Sequence, residues 1–555
     1  MIFNGILLDL DDTLYDYTHT HRYALEESFK LFGIDIALYD KYSIETHINL
    51  NGSAASHNKY ITFKKIMTYL GRNNELNRLN ETYWQIFFEN MILHEGVKEF
   101  IIFCKQHKMK ICLITDFICE YQIKKLEKLR IYDLIDLVIT SEEVGSEKPD
   151  SKIFLYALHK LNLSTRDVCM IGDSYHKDIV GATNLGIYTF HFNREKINIV
   201  KKDGSVFNSF IWLLNYFQNI YTQLKYMINL SKYVGERFDL TQAGGGNISF
   251  KSDDLMFIKS SGIALSDITF NSGYSVLYNK DYVAQIKQMD IDVHKKDNEV
   301  LVKKITNQNM ICGNKTSIET PMHSFLKRWT LHLHPIQVNI LTSDMIKELF
   351  PDSLLIDYYT PGIELSLNIL QKYNGENIIF LINHGIIITH ESVAEIYFIL
   401  DTVLEVIEKY LNITEEYEKY HNVNKISSLI ENSVTYLCDS IDVKVEDSTD
   451  IVEIVPLTPD IFVYCGYGML IINSKMDCHK QIQKYKNQYN DVPKIVIYDG
   501  YMYIVSMTLK KCMEIEQVLK SYLCLIEARK GLTCLSKGEL EYLNNWDAEK
   551  YRKTI

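Results

Sequence analysis

Short apolar runs punctuate the first two hundred residues, and amphipathic stretches fill the gaps between them. Residues 6–8, 109–114, 137–140, 168–171 and 187–192 read as buried strands, and the alternation with helices predicts a parallel, doubly wound sheet. Residues 15–92 lack strand signals and read as a helical insertion, for example at 24–32 and 83–91. A polar stretch at 193–205 leads into an expected helix at 206–217. A second pattern follows: a helix at 222–238, strands at 248–250, 256–259, 330–334 and 378–382, and a helix at 393–411. Residues 286–316 are polar and give no clear element. Beyond the acidic stretch 414–419, strand-like runs at 461–464, 469–472 and 494–498 alternate with helices. The expected organisation is 1–217, with its insertion at about 15–92, then 222–425, then an α/β extension at 426–555.

Composition narrows the class. The chain has 555 residues, 46% hydrophobic and 23% charged, which suits several globular domains. A net charge of -12 argues against nucleic acid or an anionic membrane as partner, since such binding relies on basic patches. The 11 cysteines include no C-x-x-C pair, so neither a zinc knuckle nor a disulfide framework is indicated. The apolar run 2–8 meets Asp9 too early for a signal peptide, and 461–472 is too short to span a bilayer. A soluble cytoplasmic protein is expected.

Candidate chemistry appears first at the strand ends. An aspartate nucleophile needs exposure at a strand terminus, with a second carboxylate nearby to protonate the leaving oxygen; Asp9 and Asp11 have that spacing. Asp173 follows the run 168–171 as a further metal carboxylate, and Asp178 is placed to support it. Thr115 offers a hydroxyl at another strand end, and Lys148 an ammonium for charge neutralisation. In this order these residues resemble the four motifs of the haloacid dehalogenase superfamily, over roughly residues 1–217. The resemblance implies a Rossmann-like core in which Asp9 is phosphorylated, with Mg²⁺ held by Asp9, the Asp11 carbonyl and Asp173. It also implies that Thr115 and Lys148 bind the phosphoryl oxygens, that the helical insertion is a cap, and that Asp11 favours phosphatase or mutase over dehalogenase.

A second, unrelated set lies downstream. His332 and His334 are two apart on a strand, so their imidazoles face one way, and His384 in Asn383-His384-Gly385 is a distant third candidate for an open zinc site. Glu319 precedes a helix that Pro321 would begin, and the glycine run Gly244-Gly245-Gly246 lets backbone N–H groups approach a phosphate. Asn247 and the stretch Lys259-Ser260-Ser261-Gly262 add polar groups. This constellation resembles the class II aldolase/adducin family across residues 222–412. It is most similar to the aldolase part of bifunctional rhamnulose-1-phosphate aldolase/short-chain dehydrogenases, including Leu457-Thr458-Pro459-Asp460 and a tail around Leu535, Ser536, Glu539, Leu540 and Trp546. No dehydrogenase is expected here, since the sequence stops at Ile555.

The resemblance implies Zn²⁺ on His332, His334 and His384, and Glu319 as the acid/base that also reaches the metal. It implies a substrate phosphate at Gly246, Asn247, Ser261, Gly262 and Ser317, although Ile318 stands where the family often has a second serine. His323 reads as a supporting helical histidine. The expected fold is α/β throughout: a capped Rossmannoid domain, an α/β/α aldolase-like domain and a small α/β extension. The expected protein is a homo-oligomer acting on phosphorylated sugars, both a phosphatase and an aldolase cleaving a ketose 1-phosphate. A sugar-phosphate dehydratase or epimerase, or an adducin-like assembly module, is the alternative for the second unit.

Overall fold

Six parallel strands carry the N-terminal residues of interest. The computed structural model describes residues 3–50, 58–202, 204–290, 295–313, 315–430, 433–441, 451–528, 535, 536 and 538. The first sheet comprises β1 (Gly5–Leu8), β2 (Lys110–Thr115), β3 (Leu137–Thr140), β4 (Val168–Gly172), β5 (Tyr188–Phe192) and β6 (Ser205–Phe207), in the order β3-β2-β1-β4-β5-β6. Its strands are continuous apolar runs because both faces are covered. Ile6 and Leu8 enter one core while Leu7 enters the other; in β2, Ile111 and Leu113 oppose Cys112 and Ile114 in the same way. The chain leaves β1 to build β2 on one side and β4 on the other, so the C-terminal ends of these three strands border the crevice where such sheets bind ligands.

Between β1 and β2 the chain forms the cap helices α1 (Tyr17–Phe32), α2 (Ala37–Leu50), α3 (Lys59–Tyr69) and α4 (Leu76–Glu89). Asp16 caps α1 by accepting from the His19 N–H, and Gly33 ends it at φ 61°. The four helices close on buried aromatics, among them Phe29, Phe63, Tyr83 and Phe87. The expected helix at 206–217 needs correction. Val206 lies in β6, which pairs with β5, and the helix starts at Phe210 after Ser209 caps it. It continues to Gly235 without a break, absorbing the separate helix expected at 222–238. Leu213, Phe217, Ile220, Leu224, Met227 and Leu230 recur every three or four residues and are buried. Their stripe belongs to one hydrophobic core that includes both Ile6 of β1 and Ile248 farther along.

The second sheet has eight strands: β7 (Asn247–Ser252), β8 (Leu255–Lys259), β9 (Tyr274–Tyr278), β10 (Met310–Cys312), β11 (Trp329–Leu333), β12 (Leu354–Ile356), β13 (Ile378–Leu381) and β14 (Gly385–His390). Their order is β10-β9-β8-β7-β11-β14-β13-β12, antiparallel apart from β12 with β13. Within the polar 286–316 region, a helix occupies Lys295–Asn309 and leads directly into β10. A third sheet, β15 (Val434–Leu437), β16 (Ile451–Glu453), β17 (Gly468–Ile472), β18 (Ile495–Tyr498) and β19 (Tyr501–Ser506), runs in the order β15-β19-β18-β17-β16. The expected strand at 461–464 is instead part of the helix Pro459–Cys465, because Thr458 caps the N-terminus and Pro459 suits the first turn. The tail positions Glu539, Leu540 and Trp546 lie outside the described residues.

Candidate active sites

The first site forms where β1, β2 and β4 end. Asp9 follows β1, and its N–H donates to Ile171 O at 2.9 Å. Lys148 reaches in from the loop before the helix Ser151–Leu161. Its Nζ donates to Asp9 Oδ1 at 2.5 Å, to Asp178 Oδ1 at 2.6 Å and to Ile114 O at 3.1 Å. The Thr13 hydroxyl contacts Asp9 Oδ2 and Asp173 Oδ1, each at 2.9 Å. Asp178 Oδ2 accepts from the Ser174 N–H at 3.0 Å, so the loop after β4 is braced by the residue expected to support it. Carboxylate oxygens of Asp9, Asp173 and Asp178 lie within 4.8 Å of one another. Burial, partly offset by Lys148 and reinforced by Asp178 and Asp173, holds the Asp9 carboxyl well above the usual range. Burial and Asp178 push Asp173 up to about 6. Three carboxylates around one ammonium are the charge excess that a divalent cation relieves, so this cluster fits Mg²⁺.

Asp11 points away from that cluster, into a nest of its own. Lys125 Nζ donates to its two oxygens at 2.7 and 2.9 Å, Tyr15 OH to Oδ1 at 2.5 Å and Gln122 Nε2 to Oδ2 at 3.1 Å. Burial would raise this carboxyl, but Lys125, Tyr15 and Gln122 together outweigh it and the net shift is downward. The buried Thr115 hydroxyl accepts from the same Gln122. The sequence carries Thr13 within the motif that opens at Asp9 but assigns no role to it, nor to Tyr15, Gln122 or Lys125. Gln122 and Lys125 share one face of the helix Cys119–Lys128, but the sequence offers no signal that this polar face is buried.

The second site sits at the ends of β7, β11 and β13. His332 on β11 pairs in register with Asn247 on β7, and His334 follows the strand. The β13–β14 hairpin turns through Asn383 at φ 55°, and this turn carries His384. A Cβ on Gly385 would stand 2.1 Å from Leu333 O, so the turn closes over β11 only with glycine. The three imidazoles form a triangle with centroid separations of 4.9, 4.8 and 5.0 Å. One ring nitrogen from each lies within 4.8 Å of the others. Buried Nε2 of His332, Nε2 of His334 and Nδ1 of His384 have no hydrogen-bond partner among the described residues. Orphaned nitrogens cost stability until a partner reaches them, and three imidazoles that can each bring one nitrogen within 4.8 Å of the others fit Zn²⁺.

Glu319 caps the short helix Thr320–Phe325 and faces the triangle, with Oε1 3.1 Å from His332 Nδ1 and 3.8 Å from His384 Nε2. Its Oε2 is 3.4 Å from Asn247 Nδ2. Burial raises this carboxyl, but His332 and its neighbours overcome that and keep it anionic, well below the usual range. Burial pushes His334 and His384 down to about 4. Along the rim, the Cβ position of Gly245 is 3.1 Å from His334 Nδ1, which brings the glycine loop against the histidines. Gly246 takes φ 73° and leads into Asn247. Ser317 Oγ accepts from the Glu319 N–H at 3.2 Å, and Ser261 N donates to Lys315 O at 2.9 Å just before Gly262. The loop that carries half-buried Ser317 thus meets the exposed Ser261 and Gly262, while Ile318 projects into solvent at 61% exposure. His323 is buried behind Glu319 and pairs with Ser249 Oγ at 2.8 Å. Lys259, which the sequence reading named only as part of a polar stretch, is buried and donates to Gly244 O at 3.2 Å.

Comparison with known proteins divides the chain at the same two sites. Residues 6–192 match the haloacid dehalogenase-like hydrolase family, and residues 225–411 match the class II aldolase and adducin N-terminal domain. Ribulose-1,5-bisphosphate 5-phosphatase of Halopiger xanaduensis is 33% identical over 202 residues, covering 34% of this chain and 84% of that protein. Glyceraldehyde 3-phosphate phosphatase of Methanothermobacter thermautotrophicus is 25% identical over 198 residues, or 35% of this chain and 87% of that protein. Among solved structures, the N-terminal class II aldolase domain of a conserved protein from Thermoplasma acidophilum is 22% identical with a TM-score of 0.30, covering 34% of this chain and 93% of that one. No helix among the described residues is long and apolar enough to cross a membrane.

Proposed function

The chain belongs to the haloacid dehalogenase-like hydrolases over residues 6–192 and to the class II aldolase/adducin family over residues 225–411, and on that premise we propose a bifunctional enzyme of phosphorylated-sugar metabolism. Its first activity is a phosphatase. Asp9 attacks the phosphorus of a small sugar phosphate and forms an aspartyl phosphate. Lys148 and Thr115 stabilise the phosphoryl oxygens, and Asp11, paired with Lys125 in the structure, would turn from that partner to carry a proton to the leaving oxygen. Mg²⁺ held by Asp9, Asp173 and the Asp11 carbonyl would neutralise charge on the transferring group. The names of the phosphatase relatives support phosphate esters of small sugars as the substrate class.

The second activity is aldol cleavage of a ketose 1-phosphate to dihydroxyacetone phosphate and an aldehyde. Zn²⁺ on His332, His334 and His384 would supply Lewis-acid stabilisation of negative charge on the substrate oxygens. Glu319, held anionic by its histidines, accepts the substrate proton on Oε2 and returns it after the C–C bond breaks. Gly246, Asn247, Ser261, Gly262 and Ser317 bind the phosphate through backbone N–H and side-chain groups. The class II aldolase resemblance adds a homo-oligomer formed through this domain to the proposal.

The observation that carries the proposal is the triangle of partnerless imidazole nitrogens around Glu319, in the same chain as the Asp9–Lys148 cluster. An assembly module has no need of such orphans. The test is to incubate the full chain with Mg²⁺, Zn²⁺ and a panel of ketose 1-phosphates, then measure free phosphate and carbon products. Two carbon fragments support the aldolase. A product of unchanged carbon count replaces it with the dehydratase or epimerase.

A further inference from the structure

The cap holds a group that the proposed phosphatase chemistry does not use. Tyr17 and His21 lie one turn apart on α1, their rings stacked at 5.4 Å and 14°. Both His21 nitrogens are engaged, Nδ1 with Tyr83 OH at 2.6 Å and Nε2 with Tyr39 OH at 3.2 Å. Burial, with Lys59 and Lys125 nearby, pushes His21 down to about 2, so this wall is neutral. Two ammoniums approach the Tyr17 ring: Lys125 at 4.9 Å and Lys59 at 5.9 Å from its centroid. Their situations differ. Lys125 is neutralised by Asp11. Lys59, half-buried at the start of α3, has no carboxylate at ion-pair distance among the described residues. Burial lowers it to about 8, which leaves it cationic at neutral pH.

Beside Lys59 lies a cavity of about 390 Å³, lined by His21, Tyr39, Ser43, Asn58, Lys59 and Thr62 among others, with no acidic residue among the described residues of its wall. That volume suits part of a small metabolite. An uncompensated ammonium in a partly dehydrated pocket is costly, and an anion entering the pocket removes the cost. The Tyr17 ring links Lys59 to Lys125, and Lys125 to Asp11, two residues from Asp9. Lys59 in the cavity wall is thus tied, through Tyr17 and Lys125, to the strand end that carries Asp9.

We propose that this cap cavity is a subsite for a second anionic group, in which Lys59 holds a phosphate or carboxylate at the end of the substrate remote from the phosphoryl group taken by Asp9. The inference rests on the phosphatase reading and narrows it to substrates with two anionic ends. One or two charge-assisted hydrogen bonds should raise kcat/KM roughly tenfold to hundredfold over a substrate with a neutral tail.

The experiment uses the full chain with Mg²⁺ and three esters of equal carbon number: a ketose monophosphate, the corresponding ketose bisphosphate and a phosphorylated aldonic acid. The wild type should prefer at least one of the two doubly anionic esters by about tenfold or more. Preference for the bisphosphate identifies phosphate as the second group, and preference for the acid identifies carboxylate. Lys59→Met should bring the ratio of kcat/KM values close to one, mainly by raising KM for the doubly anionic ester, whereas Lys59→Arg should retain most of it. Equal kcat/KM for all three esters in the wild type would overturn the subsite. So would an unchanged ratio in Lys59→Met with an intact far-ultraviolet spectrum. Release of phosphate from none of the three would remove the phosphatase reading and the subsite together.

Discussion

The two sites solve the problem of buried charge in opposite ways. Around Asp9, Lys148 bonds two carboxylates and a carbonyl, Thr13 bridges two carboxylates, and a backbone N–H completes Asp178. This cluster is braced by the chain itself, and a cation adds to an arrangement already held. Around Glu319, three imidazoles converge with nitrogens that nothing among the described residues satisfies. There the chain places donors and leaves the bonding to a metal. Metal binding and folding should therefore be coupled more tightly in the second site than in the first.

The largest effect that separates them comes from Lys148. Lys148→Met leaves Asp9 and Asp178 together without their shared cation, and should cost about 3–5 kcal/mol in metal-free protein, measured by urea unfolding. His384→Gln in the same buffer should cost far less, because it removes an imidazole whose Nδ1 is unpaired. Equal losses would erase the contrast.

Next in size is the response to metal. Zinc at a hundredfold excess over its Kd should stabilise the chain by about 2.7 kcal/mol, read as a rise in Tm that chelator reverses. His332→Ala should lose this rise and its stoichiometric zinc, and Asp173→Asn should keep both. A zinc response that survives His332→Ala would place the metal elsewhere.

The smallest effect tests what the two regions share, a neutral histidine packed behind the chemistry. Burial pushes His323 down to about 3 and His21 to about 2. Their folded pKa values lie below the unfolded value near 6.5, so between these limits the unfolded chain binds more protons than the folded one. Their neutral form is fully accommodated above pH 6.5, and stability is lost as pH falls from there toward 3. At pH 5 each contributes up to about 2 kcal/mol of that loss. His323→Gln in chelator should flatten the decline in urea midpoint between pH 7.5 and 5; an unchanged slope would mean that His323 takes up a proton without cost.

How far the sequence reveals each region follows from the same physics. The first sheet was legible because its strands are buried on both faces and read as unbroken apolar runs ending in acidic residues. His332, His334 and His384 were legible from strand periodicity and a tight turn. β14 was missed although Ile386, Ile387 and Ile388 are apolar, because the hairpin turn at Asn383–Gly385 looked like the end of the motif. Pro459–Cys465 reads as a strand because Ile461, Phe462 and Val463 are strand formers, yet the Thr458 cap and the packing of Ile461 and Cys465 into a hydrophobic core override that preference. Lys125 was invisible, since only the fold brings Asp11 to it across more than a hundred residues. The long helix from Phe210 to Gly235 was split because Asn219 and neighbouring polar residues occupy its exposed face.

That helix also decides how the central claim of two independent activities should be tested, since cutting the chain near residue 219 would sever a shared core. The measurement is phosphate release and C–C cleavage, side by side, in the intact chain, Asp9→Asn and His334→Ala. Asp9→Asn should abolish phosphate release and leave cleavage, and His334→Ala should do the reverse. Because ester hydrolysis is downhill and aldol cleavage nearly balanced, the wild type alone should convert a doubly processed sugar phosphate fully to dephosphorylated product. Loss of both activities in a folded Asp9→Asn protein would contradict independent sites.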